Sequence, residues 1–347
     1  MNKLSNRTIG WIYAYIHFTV EVVCFRWFYL HAHDWDVNAA WTYALLYDCL
    51  AFVPQALLGR ITDRYPKLRI GPVGVALLAA GMFTPWNPLA LLLLTAGNCA
   101  LHVSGANASL RGANGKLGPS GIFVAGGSVG VVLGTLLGRY RYSYAPVLLS
   151  ILLIAAFLLT MYLCNHTDMT KDAEGFHIAA DKPVLAIILL TFLVVCARSY
   201  VGYAIPIGWK KEDWQTVMLF LCMALGKGAG GVLADRFGAR ITAVMSLTIA
   251  LPLLCFGNSL MLVSLLGVAL FSMTMAISLG ALVSVMPREP GRAFGITTVA
   301  LFLGSLPRFF VKPEGLTAQI IIVIVLSLAA ILCCMLSLRG RRDKEII

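Results

Sequence analysis

The chain has 347 residues, of which 59% are hydrophobic and only 12% are charged, and its mean hydropathy is +0.83. Because about a quarter of the residues in a soluble domain are charged, this composition excludes a soluble protein and predicts apolar surface that faces lipid. The formal net charge of +11 does not indicate nucleic-acid binding, since basic residues collect in the cytoplasmic loops of membrane proteins.

Apolar segments that could cross about 30 Å of hydrocarbon recur along the chain. We predict an all-α membrane protein with twelve transmembrane helices, of which the third and ninth are short. The predicted spans are Ile9–Leu30, Ala40–Leu58, Ile70–Thr84, Leu89–Leu110, Ser120–Leu137, Ala145–Cys164, Pro183–Tyr203, Trp214–Ala234, Ile241–Phe256, Leu260–Val285, Gly291–Leu306 and Leu316–Leu338. The longest polar stretch, residues 165–182, is interpreted as a cytoplasmic linker between a six-helix bundle at 1–164 and another at 183–347.

The distribution of basic residues predicts the orientation. With the N-terminus inside, 18 of the 27 Lys and Arg residues fall in the tails and the cytoplasmic connections, and six fall in the outer connections. This bias predicts that both termini are cytoplasmic. We expect a monomer in the plasma membrane, most simply a bacterial inner membrane, whose partners are the lipid bilayer, a small-molecule substrate and protons.

Motifs for other functions are absent from the sequence. There is no P-loop, no HExxH and no Cys/His set with metal-ligand spacing, and the nine cysteines form no CxxC. We therefore expect no nucleotide-driven pump, no metal and no cofactor. A membrane-embedded enzyme or receptor would need clustered catalytic groups or a long extramembrane segment, and the sequence shows neither.

Two loops, one after the second predicted helix and one after the eighth, have similar sequences. The matched positions are Gly59 with Gly231, Asp63 with Asp235, and Arg64 with Arg236, all at an offset of 172 residues. Gly121 and Gly295 match at an offset of 174. Two parallel six-helix repeats are a known transporter architecture, so the repeat predicts two related halves.

The second loop, GGVLADRFGAR, resembles the signature G-x-L-A-D-R-x-G-R-K of the major facilitator superfamily, and the first departs from it at Pro66. The resemblance implies two pseudo-symmetric six-helix bundles and transport by alternating access. It also implies a cytoplasmic latch in which the loop Asp caps a neighbouring helix and the Arg pairs across the bundle. The expected latch residues are Gly59, Asp63, Arg64, Lys227, Gly231, Asp235, Arg236 and Arg240.

A narrower similarity involves the first, fourth and fifth predicted helices. His17, Phe18 and Glu21, together with His102 and the segment GIFVAGGSVGVVLG, are similar to fosmidomycin-resistance-type drug exporters. Here Glu stands where those proteins have Asp. This similarity implies export of a small organic molecule or drug.

Ionisable residues inside the predicted spans are candidate functional groups, because burying a charge in the membrane costs several kcal/mol. Glu21 lies about 18 Å along the first helix, close to its middle, and His17 shares its face. We predict that Glu21 carries the coupling proton, the alternative being a static salt bridge. Asp48, in the second helix, is expected to have a structural or cavity-lining role.

Arg26 and Arg198 are separated by the repeat offset of 172 residues and are candidates for equivalent positions. They are predicted to bind an anionic substrate or to pair with Glu21, although Arg26 could equally extend its guanidinium to the membrane interface. Arg198 is deeper and is followed by Tyr200, a further cavity candidate. Asn98 and His102 share a helix face, either lining the cavity or packed in the core.

The combined reading is a secondary active transporter with proton-coupled export of a small organic molecule. The alternative is proton-coupled uptake of a small organic anion, which the two arginines favour.

Four glycines of the fifth predicted helix are expected to allow close helix packing. They are Gly126, Gly130, Gly134 and Gly138.

Overall fold

A computed structural model describes residues 4–311 and 313–340 of the chain. Five residues that entered the charge count lie outside the described residues. They are Lys3, Lys312, Arg341, Arg342 and Lys344.

Fourteen α-helices and one short 3-10 helix make up the described part of the chain. In chain order they are α1 (Asn6–Ala32), α2 (Val37–Phe52), α3 (Gln55–Arg64), α4 (Ile70–Phe83), α5 (Asn87–Leu110), α6 (Gly118–Arg139), α7 (Ala145–His166), α8 (Val184–Ala204), α9 (Asp213–Phe237), α10 (Ala239–Phe256), α11 (Met261–Ser272), α12 (Thr274–Val285), α13 (Pro290–Ser305), the 3-10 helix (Leu306–Phe309) and α14 (Gly315–Ser337). The predicted all-α class is confirmed.

These helices correspond to the twelve predicted spans. Helices α2 and α3 together form the second span, interrupted just before Gln55, and α11 and α12 form the tenth, interrupted at Met273. Ten helical segments of the described chain are long and apolar enough to cross a membrane. The third span is short as predicted, with 14 residues in α4. The ninth span, α10, has 18 residues, which is near the lower limit as predicted, and α13, with 16, is also short.

Close packing of α1 against α6 organises the first half of the molecule. From Gly126 onward, every fourth residue of α6 is a glycine that faces a backbone carbonyl of α1. The facing pairs are Gly126 with Ala14, Gly130 with Phe18, Gly134 with Val22, and Gly138 with Arg26. A Cβ on Gly134 would lie 2.6 Å from the oxygen of Val22, which is too close for a side chain. The glycines therefore let the two backbones touch, as predicted.

The segment between α7 and α8 packs against the ends of the helices. The backbone N–H of Ala173 donates to the oxygen of Pro287 (2.8 Å), and the guanidinium of Arg111 donates to the oxygen of Lys171 (2.5 Å). The predicted linker is therefore held to both sets of six helices. These contacts lie at the end of the bundle that carries the two matched loops, which we call the loop end; the opposite end is the far end. The domain limits and the side of the membrane stay predictions.

Substituting Gly134 and Gly202 by alanine should have opposite effects on stability. Gly134→Ala overpacks the α1–α6 contact and should cost about 1–3 kcal/mol. Gly202, in α8, has no atom within 4 Å of an added Cβ, so Gly202→Ala should be neutral or stabilising by up to about 1 kcal/mol. Thermal unfolding in detergent, followed by tryptophan fluorescence, measures both. Equal shifts in Tm would contradict the packing role of the α6 glycines.

Candidate functional site

At the loop end, the carboxylate of Asp63 caps a helix of the other half. Asp63 ends α3, and its two oxygens accept hydrogen bonds from the backbone N–H groups of Gly291 (3.1 Å) and Arg292 (2.9 Å). These amides begin α13, where the first turn of a helix leaves N–H groups without internal partners. A negative charge is favoured there by both hydrogen bonding and the helix dipole.

Asp235 makes the same contact in the opposite direction. Near the end of α9, it accepts hydrogen bonds from the backbone N–H groups of Leu117 (2.7 Å) and Gly118 (2.9 Å), at the start of α6. The two carboxylates are 172 residues apart, and the amides at Leu117 and Gly291 are 174 apart. The sequence repeat thus corresponds to two reciprocal contacts, each joining the halves, and both predicted caps are present.

The predicted arginine contacts of the latch are wrong. Arg64 lies over the ring of Tyr65, 5.6 Å from its centroid, and Arg236 lies over Phe237 at 5.4 Å. Each is exposed and forms no ion pair within the described residues. The cation that pairs with Asp63 is Arg111, at 2.7 Å and buried. Arg111 follows α5 in a loop without a repeat counterpart, so the sequence repeat gave no signal for it.

Two other expected latch residues lie elsewhere. The ammonium of Lys227 donates to the hydroxyl of Ser128 on α6 (2.7 Å) and makes no contact with the capping carboxylates. Arg240 makes no polar contact in the described part of the chain. Lys227 was assigned to the latch because it lies one helical turn before Gly231, but its position on α9 directs it toward the interior.

Glycines allow the two halves to meet closely at the loop end. Gly59 of α3 faces the backbone of Gly291, and a Cβ on Gly231 would lie 2.5 Å from the oxygen of Leu117. A side chain at either matched glycine would hold the halves apart. These glycines and the two carboxylates therefore act together to keep the halves in contact at the loop end.

Replacing Gly231 by alanine should therefore open the loop end. Separation of α9 from α6 would release the amides of Leu117 and Gly118 from Asp235, and hydrogen exchange in residues 115–122 should accelerate at least tenfold. Gly228→Ala, three residues earlier in α9, is the matched control, because its Cβ would meet only Ala125 at 3.8 Å. Unchanged exchange in the Gly231 variant, or equal acceleration in both variants, contradicts this role.

At the far end, side chains also join the halves. Arg308 pairs with Asp48 at 2.8 Å, and Arg139 pairs with Asp213 at 2.6 Å. Asp213 also accepts a hydrogen bond from Tyr140, which raises the pKa of that phenol. Asp48 thus has an ion-pairing role between the halves. Partly exposed pairs of this kind contribute about 0–1 kcal/mol each, so they can separate at small cost.

Four polar side chains predicted as site residues meet between α1 and α5. We call His17, Glu21, Asn98 and His102 the central cluster. Oε1 of Glu21 lies 3.5 Å from Nε2 of His17, from Nε2 of His102 and from Nδ2 of Asn98. All four residues are at least nine-tenths buried. Gly127 of α6 leaves the space that the His17 ring occupies.

The hydrogen bonds of the two imidazoles determine how many protons they hold. Nδ1 of His17 lies 3.0 Å from the oxygen of Phe123, and Nδ1 of His102 lies 3.0 Å from the oxygen of Asn98. A carbonyl oxygen only accepts, so both Nδ1 atoms carry hydrogens, and neutral rings would then have bare Nε2 atoms. The two Nε2 atoms are 2.8 Å apart. This contact needs one additional proton, whose charge the Glu21 carboxylate balances.

The cluster also has the donor atoms of a metal site, since one ligand atom from each of His17, Glu21 and His102 falls within 4.8 Å of the others. The surrounding charge disfavours a divalent ion. Lys227 interacts electrostatically with all three groups, and Arg198 interacts with Lys227. A divalent cation beside two partly buried cations and one carboxylate would leave a net charge of +3, which is costly in a low-dielectric interior. A proton fits the same position at lower cost.

The remaining site candidates do not join the cluster. Arg26 is buried, and its Nε has no hydrogen-bond partner among the described residues. Arg26 forms no ion pair with Glu21 among the described residues, and the equivalence of Arg26 and Arg198 stays a prediction. Arg198 donates to the sulfur of Met275 at 2.8 Å. Tyr200 is half-buried in α8 and makes no hydrogen bond in the described part of the chain.

Comparison with solved structures identifies the fold of this chain. No protein-family model and no curated protein matches this chain. The structure is similar to that of FucP, a major facilitator superfamily transporter, in the outward conformation, with a TM-score of 0.61 and 13% identity over 94% of this chain and 98% of that one. A variant of the E. coli fucose:proton symporter FucP matches with a TM-score of 0.61 and 12% identity, over 96% of this chain and 99% of that one.

The chain has the major facilitator superfamily fold. The similarity extends over both sets of six helices, so it confirms the predicted architecture. At 12–13% identity it does not carry the function of FucP to this chain.

Proposed function

We propose that this protein is a secondary active transporter that works by alternating access. The observation that carries the proposal is that both ends of the bundle are closed by contacts between the halves. Reciprocal helix caps close the loop end, and the Arg308–Asp48 and Arg139–Asp213 pairs close the far end. Helix caps contribute about 1 kcal/mol each, and the partly exposed Arg139–Asp213 pair contributes about 0–1 kcal/mol. Either end can therefore open while the other remains closed.

The coupling ion in this proposal is the proton, and the central cluster is its site. The proton lies between His17 and His102, and Glu21 is the counter-ion that makes its binding favourable. Binding from one side and release to the other would couple substrate movement to the proton gradient. The proposal assigns no catalytic reaction and no cofactor to the chain.

Export of a small organic molecule follows from the similarity to drug exporters of the first, fourth and fifth spans. Uptake of a small organic anion is the second candidate, favoured by the unpaired cations Arg198 and Lys227. In either case we propose a plasma-membrane location with the loop end, both termini and the linker in the cytoplasm. Accumulation in inverted compared with right-side-out vesicles distinguishes the two directions.

Replacing Glu21 by Gln tests proton coupling. A substrate is first identified by a thermal-shift screen, and transport is then measured in proteoliposomes. Glu21→Gln should abolish proton-driven accumulation, because the proton loses its counter-ion, and should leave substrate counterflow within about twofold of wild type. Glu174→Gln, at an exposed linker position, is the control. Full uphill transport by the Glu21 variant would show that the cluster is not the coupling site.

A further inference from the structure

We propose that Arg198 and Lys227 bind the negatively charged group of the substrate, and that the substrate is a monoanion such as a carboxylate. This inference rests on the proposed transport function and names the class of molecule carried. It identifies Lys227, rather than Arg26, as the second cation of the site.

Most charged side chains within the bundle have a partner of opposite charge. Asp48 is paired with Arg308, and the carboxylate of Asp63 with Arg111. Among the described residues, the interior carboxylate that remains is Glu21, at the central cluster. Three interior cations, Arg26, Arg198 and Lys227, have no ion-pair partner within hydrogen-bonding distance in the described part of the chain. The carbonyl of Arg26 faces Gly138, near the far end, whereas Lys227 interacts electrostatically with both Arg198 and Glu21.

The contacts of these two cations leave most of their donors unused. Arg198 donates to the thioether sulfur of Met275, a weak acceptor, and its buried Nε has no hydrogen-bond partner. Lys227 donates to the hydroxyl of Ser128, which is neutral. A guanidinium has five N–H donors and an ammonium has three. A buried charge without a partner costs several kcal/mol, so its retention indicates a charged ligand.

Lys227 lies at the boundary between the halves, and Arg198 interacts electrostatically with it. Arg198 on α8 and Lys227 on α9 belong to the second half, whereas Ser128, which Lys227 contacts, belongs to α6 of the first. Ser128 follows Gly127, the residue against which the His17 ring packs. Both side chains are partly buried rather than fully enclosed. A ligand held here would contact both halves beside the proton site, as an alternating-access substrate must.

The charge balance sets the charge of the ligand. When the central cluster has released its proton, so that both histidines are neutral, Arg198, Lys227 and Glu21 together leave one positive charge, and Lys227 interacts electrostatically with each of the other two. One negative charge restores neutrality, which favours a monoanion over a neutral drug or a cation. A guanidinium binds a planar carboxylate through two parallel hydrogen bonds, and an ammonium adds a point charge.

The inference can be tested without a proton gradient. The measurement is the thermal stability of the purified full-length protein in detergent. The probes are matched pairs of small molecules at 5 mM, namely benzoate with benzamide, 4-phenylbutyrate with 4-phenylbutyramide, and gluconate with glucose. At least one carboxylate should raise the Tm of the wild type, and none of its neutral counterparts should. For the carboxylate that acts, Arg198→Gln and Lys227→Gln should each weaken binding by about tenfold to a hundredfold.

Two further variants keep the test decisive. Arg198→Lys retains the charge but cannot form the bidentate hydrogen bonds of a guanidinium. It should therefore bind the carboxylate more weakly than wild type and more tightly than Arg198→Gln. Arg26→Gln should bind like wild type. The proposal is overturned if no carboxylate acts, if neutral members act equally, or if Arg26→Gln abolishes binding while Arg198→Gln does not. Failure of proton coupling in the Glu21 variant would leave these binding results unchanged, so the two proposals fail separately.

Discussion

The reciprocal capping of two helices by Asp63 and Asp235 is the contact on which the closed loop end depends. Each carboxylate belongs to one half and satisfies backbone amides at the start of a helix in the other. Neither half can move away without exposing two helix termini and two carboxylates. The cost of doing so is about 1 kcal/mol per cap, large enough to define a closed state and small enough to be overcome by substrate or proton binding.

The two halves carry different functional groups, although the repeat relates their contacts at the loop end. The central cluster, with its three titratable groups, lies on α1 and α5 of the first half, whereas Arg198 and Lys227 lie on α8 and α9 of the second. Lys227 of one half thus interacts with the Glu21 carboxylate of the other at the boundary that opens and closes. Movement of the halves changes the distance between these charges, which gives a physical route by which proton binding affects substrate binding.

Much of the fold followed from the sequence, because hydropathy determines which segments cross the membrane and the repeat relates the halves. The caps at Asp63 and Asp235 were implied by the resemblance of the two loops to a known signature. Contacts without a repeat counterpart could not be predicted, as Arg111 and Arg308 show, since their partners are distant in sequence. The offset relates Arg26 to Arg198 as equivalent positions, but it does not determine which groups their side chains contact. Lys227 was assigned from its sequence neighbours, whereas its helix face determines its contacts.

Distances across both ends in one molecule test alternating access most directly. Double electron–electron resonance can measure them with spin labels at exposed positions of the two halves, Lys67 with Phe237 at the loop end and Tyr144 with Lys211 at the far end, in a cysteine-free background. The account predicts that Asp63→Asn combined with Asp235→Asn lengthens the loop-end distance while the far-end distance remains short. Lengthening of both distances together, or of neither, would contradict it.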